Sequence, residues 1–91
     1  MGLDSLVRET CAHLSEEGLE VSPVAAKATI QLARFVVQEP IERDTEALVE
    51  TIVGRLRARC VVMPANMVLA VLTTYARVIV LLDVLEINEF A

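Results

Sequence analysis

Two stretches of this chain, Val24–Gln38 and Met67–Leu85, are apolar around nearly their whole circumference, in a polypeptide of only 91 residues. In the first, Lys27, Gln31, Arg34 and Gln38 recur at i, i+4, i+7 and i+11, which draws one narrow wet stripe along a helical period. In the second, Asn66, Thr73, Thr74 and Arg77 mark the only polar edge before Asp83. A helix with so little polar surface must be surrounded by other helices or by another chain. A domain of this size buries only roughly 60–70% of its extended surface. Four short helices enclose one such element well and two only with difficulty. The excess should emerge as an apolar patch, which on a folded protein marks an interface. The expected fold is therefore all-α, a compact bundle of four helices forming a single domain over 1–91 and associating with another chain.

Local signals place the helices at about 3–17, 23–38, 45–60 and 65–85. Leu3, Leu6, Val7, Thr10, Cys11 and Leu14 form one stripe, with Asp4 or Ser5 available as cap. Gly18 stands where a left-handed residue ends a helix, and Leu19 follows as the apolar contact of a Schellman turn. Ser22-Pro23 pairs a cap residue with the first helical position, where proline is tolerated. Pro40 ends that helix, and Glu39–Asp44 makes an acidic connector. Asp44 or Thr45 caps the third segment, whose stripe is Leu48, Val49, Ile52, Val53, Leu56 and Cys60. Gly54 sits within it and suggests close approach by a neighbour. Pro64 opens the last segment. The β-branched run Val78–Val80 leaves room for a short strand there, but the segment's length and lack of internal Gly or Pro favour a helix.

Composition narrows the function. Hydrophobic residues are 55% and charged residues 23%, so the chain is no disordered linker, and 3 Gly with 3 Pro are too few for a turn-rich all-β domain. The only aromatics, Phe35, Tyr75 and Phe90, leave no stacking platform for single-stranded nucleic acid, and an acidic net charge of -5 disfavours duplex binding. Met67–Leu85 has the length of a membrane span, yet Thr73, Thr74, Arg77 and Asp83 interrupt it, and a central arginine costs about 2.5–3.5 kcal/mol on insertion scales. Met1–Leu6 lacks the basic and apolar regions of a signal peptide, and Leu6 breaks the myristoylation pattern that Gly2 would open. Cys11 and Cys60 are too few for a disulfide framework and read as small core hydrophobes in a reducing, intracellular setting, cytoplasmic or nuclear.

No catalytic, cofactor-binding or metal-ligating set is expected, and no small-molecule substrate is evident. His13 stands alone without a nucleophile or an orienting group. Cys11 and His13 point about 200° apart on a helix, which spoils a metal site with Cys60. Glu16, Glu17, Glu20, Glu39, Glu42 and Asp44 flank helix ends, as caps and solvated loops do. Expected to face a protein partner or a second copy are Phe35, Val36, Leu69, Leu72, Val78, Ile79 and Leu82, with Arg77 or Arg59 giving orientation. Arg77 interrupts the most apolar helix and must reach water, a helix end or a carboxylate. Arg55 and Arg59 share a helical face and suit contact with an acidic partner. A non-enzymatic interaction or oligomerisation module, an adaptor within a larger complex, is the reading that follows.

One resemblance is carried by Ile52-Val53-Gly54-Arg55-Leu56-Arg57-Ala58-Arg59, then Pro64, Leu69, Leu72, Tyr75 and Arg77. This order of apolar helix, arginines, proline break and apolar helix ending near Tyr and Arg resembles the opening helices of a cyclin box. The likeness covers under half of the chain and consists mostly of hydrophobic spacing. What it implies is a helical regulatory subunit of a protein kinase, without catalysis of its own.

Overall fold

The chain folds into α1 (Leu3–Glu16), α2 (Pro23–Val36), α3 (Thr45–Ala58) and α4 (Ala65–Phe90). The computed structural model describes residues 2–36 and 44–90, with side chains as far as 81. Among the described residues there is no strand, and the Val78–Val80 run is helical. Burial of Val78 outweighs the weak β preference of its neighbours. α4 runs past the expected stop at 85 to Phe90, since nothing after Pro64 breaks a helix. The expected end of α2 at Gln38, the stop at Pro40 and most of the acidic connector lie outside the described residues.

α2 and α4 pack on each other, and each also packs on both α1 and α3, whereas α1 and α3 do not meet. The two most apolar helices are thus the central pair, each in contact with both of the others. Val7 and Leu14 of α1, Ala26 and Ile30 of α2, Ile52 and Leu56 of α3, and Val68 and Val71 of α4 interlock with Met63 in one core. Three threonines, Thr10, Thr29 and Thr74, enter the interior, and the hydroxyls of two of them bond within their own helices. Thr10 Oγ1 donates to the Leu6 carbonyl at 2.7 Å and Thr29 Oγ1 to that of Ala25 at 2.8 Å, satisfying each polar group within its own helix. Thr29 Oγ1 also lies 3.3 Å from the Met63 sulfur, tying the segment before α4 to α2.

The helix ends explain the connections. After α1, Gly18 takes φ 84°, the Leu19 N–H donates to the Leu14 carbonyl at 2.9 Å, and the Gly18 N–H donates to Ser15 at 3.0 Å. That is the full Schellman pair, built where glycine and leucine suggest it. At the start of α2, Ser22 Oγ accepts from the Ala25 N–H at 3.1 Å. α1 begins at Leu3 as expected, but its cap differs: Asp4 and Ser5 lie inside its first turn and Gly2 is the cap residue. Asp44 occupies the cap position of α3 without a side-chain capping bond.

The end of α3 also departs from the sequence reading. The helix stops at Ala58, Arg59 caps it, and Cys60 adopts φ 62°. The Val61 N–H donates to Leu56 and the Cys60 N–H to Arg57, both at 2.9 Å, so a second Schellman turn forms with cysteine where glycine is usual. Cys60 is therefore exposed and not part of the apolar stripe. Its left-handed backbone costs about 1–2 kcal/mol, offset by the buried Leu56 that the turn anchors.

Gly54 does not mark a close approach, because a Cβ there would meet nothing within 4 Å. Gly54→Ala should stabilise the chain by about 1 kcal/mol, through helix propensity alone. Urea denaturation reads this as a higher midpoint with an unchanged slope.

One exposed ion pair joins the first two helices, Lys27 Nζ to Asp4 Oδ1 at 2.8 Å. The hydrogen bond and charge of Lys27 hold the Asp4 carboxyl below its ordinary value. Its small contribution is therefore present above the unfolded carboxylate range and fades as pH falls through the depressed folded value.

Candidate interaction surface

The inward positions of α4 are Val68, Val71, Thr74 and Val78, all buried. At about 100° per residue, Leu69, Thr73, Ala76 and Val80 fall within about 60° of one another on the opposite side. All four are exposed, Leu69 by 44% and Val80 by 60%, and the half-buried Leu72 and Ile79 border them. The result is an apolar strip along the outer face of α4. Small residues stand at its middle, Thr73 and Ala76, so another helix could approach closely there. At one edge stands the strip's single charge, Arg77, whose Nη2 lies 3.4 Å from Glu17 Oε1 at the end of α1. That carboxylate and the negative end of α1 account for a cation on so apolar a helix. Both side chains are about half exposed, so the pair contributes under about 1 kcal/mol.

The residues expected at an interface divide four ways. Leu69, Leu72 and Ile79 lie on or beside the strip. Val36 and Val78 are both buried within the chain's own interior and offer no surface. Phe35 is 62% exposed but lies elsewhere, in a groove between the C-terminal halves of α2 and α3. Leu69 lines a different groove, against the N-terminal half of α3 beside Val49. Phe35 and Leu69 therefore do not form one patch. The side chain of Leu82 lies outside the described residues. Thr73, Ala76 and Val80 were not among the expected contacts, although a helical wheel anchored on Leu69 selects them.

The Phe35 groove holds about 460 Å³ and is walled by Gln31, Leu32 and Phe35 on one side and Arg55, Ala58 and Arg59 on the other. Arg55 and Arg59 thus share a face as their spacing requires, directly across from the exposed phenyl ring. Arg57, two positions away from each, is exposed and lies outside this groove.

Elsewhere the chemistry is sparse. His13 Nδ1 lies 4.0 Å from Glu16 Oε2, both on the surface of α1. Among the described residues no cluster of His, Cys, Asp or Glu could hold a metal ion, and no helix is long and apolar enough to cross a membrane. Both cysteines are free thiols, and partial burial pushes that of Cys11 up. No family model, curated protein or solved structure matches the chain, so the cyclin-box resemblance draws neither support nor contradiction from relatives.

Proposed function

We propose that this chain is a non-catalytic interaction module, working inside the cell as part of a larger assembly through the outer face of α4. The strip of Leu69, Leu72, Thr73, Ala76, Ile79 and Val80 carries this reading. Leucine, isoleucine and valine held partly in water favour a covering surface by roughly 25 cal/mol for each Å² removed. Central small residues suit a helix laid along the strip, whether from a second copy or from another protein. An exposed free thiol at Cys60 suits a reducing compartment.

The test is sedimentation of the chain at about 100 μM, where a contact with Kd near 1 μM is almost saturated. It is paired with affinity capture from native extract, using the unaltered chain and the doubly substituted Leu69→Glu, Val80→Glu chain as baits. The reading expects self-association or a captured protein that the double substitution abolishes. The circular dichroism should be unchanged, since both positions are exposed. A monomer whose captured proteins are the same for both baits would overturn it.

A further inference from the structure

The outer face of α4 repeats at alternating steps of three and four residues. Asn66, Leu69, Thr73, Ala76 and Val80 occupy these positions, and all are exposed. That spacing draws the narrow seam along which one helix packs against a second. The half-buried Leu72 and Ile79 line one side of the seam, and Arg77 and the half-buried Ala70 line the other. The order Leu69, Thr73, Ala76, Val80 reads large, small, small, large from either end. An interface between two identical chains related by a two-fold axis has to complement itself, and this order does so when the helices run antiparallel. With the axis midway between Thr73 and Ala76, Leu69 meets Val80 of the other copy and Thr73 meets Ala76. Leu72 then flanks Ile79, and Arg77 flanks the small Ala70, which leaves room for its ion pair with Glu17. A parallel pair would instead set Leu72 beside Arg77.

Charge and surface area favour the same occupant. Two copies of a chain with net charge -5 repel wherever carboxylates meet. From Ala65 to Leu82 α4 carries none, and its one cation there, Arg77, lies 3.4 Å from Glu17 of its own chain. Asp83, the next carboxylate, comes level with the uncharged Asn66 of the other copy. A compact monomer of 10.0 kDa exposes about 5,200 Å². This chain exposes 6112 Å². The excess, about 900 Å², is close to the roughly 800 Å² that each partner gives to a standard interface. We propose that two copies of this chain pair through α4, antiparallel, about a two-fold axis between Thr73 and Ala76. The proposal rests on the α4 reading and names its occupant.

The test joins sedimentation equilibrium of the full chain, up to about 100 μM, with cross-linking through introduced cysteines. The expected result is a reversible dimer whose affinity falls at least tenfold, by about 1.4 kcal/mol, in the Leu69→Glu, Val80→Glu chain. Register is read in a Cys60→Ser background, where the half-buried Cys11 sets the baseline. Ala76→Cys and Thr73→Cys should each link to themselves under mild oxidation, because the two copies of each position lie about 4.5 Å apart along the helices. Leu69→Cys should not, its two copies being about 16 Å apart, yet it should link to Val80→Cys when those two chains are mixed. All four positions are exposed, so an unchanged circular dichroism spectrum verifies folding. A dimer in which Leu69→Cys links to itself, or in which neither Thr73→Cys nor Ala76→Cys does, would overturn the proposal. So would a chain that stays monomeric at the highest concentration. If that monomer still captures a protein from native extract, and Leu69→Glu, Val80→Glu abolishes the capture, the pairing fails while the α4 reading stands. If the captured proteins are the same for both chains, both fail together.

Discussion

Leu14→Ala and Leu56→Ala are each expected to destabilise the chain by about 3 kcal/mol, within the range for removing a large aliphatic side chain from a filled core. Both leucines are fully buried, and each has a second task. Its backbone carbonyl receives the bond that closes the Schellman turn after its helix, at 2.9 Å in both cases. A domain of this kind has about 5–15 kcal/mol in total, so the double variant should be close to its unfolding midpoint in plain buffer. The informative quantity is the coupling. α1 and α3 do not touch, each packing instead on α2 and α4. The two losses should therefore add to within about 0.5 kcal/mol. Urea denaturation of the two single variants and the double variant measures this directly, with Gly54→Ala supplied as a stabilised background if the double variant falls too low. A coupling well above 1 kcal/mol would mean that α1 and α3 share packing, contrary to the observed arrangement.

The helix count and most boundaries were legible because the chain states them in unambiguous residues. Gly18 and Leu19, or Ser22 and Pro23, admit few backbone conformations between two apolar stripes. The end of α3 was not legible for the opposite reason. Cys60 continues the period of Leu56 and looks like one more buried position, and nothing about cysteine announces a left-handed backbone. Gly54 misled in another way: a residue without a side chain suggests a neighbour pressing close, and here it faces open solvent. The candidate surface was only half legible. In α4 almost every position is apolar, so the contrast that normally separates the wet face from the dry one is missing. Val78, Ile79 and Val80 are nearly the same chemically, yet one is buried, one half-buried and one exposed. Only the packing of α1, α2 and α3 against α4 chooses among them.

Aspartate placed at two positions on α4 separates those faces with the largest effect expected of any single change. Val71→Asp puts a carboxyl at a fully buried position in the core shared with α1, α2 and α3. With no cation among the core residues, the introduced group would have to be buried charged, be buried neutral, or unfold the chain. Losing the valine packing and desolvating the carboxyl should together remove about 4 kcal/mol or more at neutral pH. Burial raises the folded-state pKa of such a group, so the folded form binds the proton more tightly than the unfolded form. The destabilisation is therefore full above the raised folded value and diminishes as pH falls toward the ordinary unfolded value of about 3.9. Ala76→Asp, five residues along, points to solvent and should change stability by no more than about 0.5 kcal/mol. If that surface is the binding face, however, Ala76→Asp should weaken association even though the fold is intact, because it sets a charge at the point of closest helix approach. Denaturation of both variants at neutral and mildly acidic pH, alongside sedimentation of Ala76→Asp, tests the orientation of α4 and its function together. An unfolded Ala76→Asp, or a Val71→Asp as stable as the parent, would mean that the helix is turned the other way.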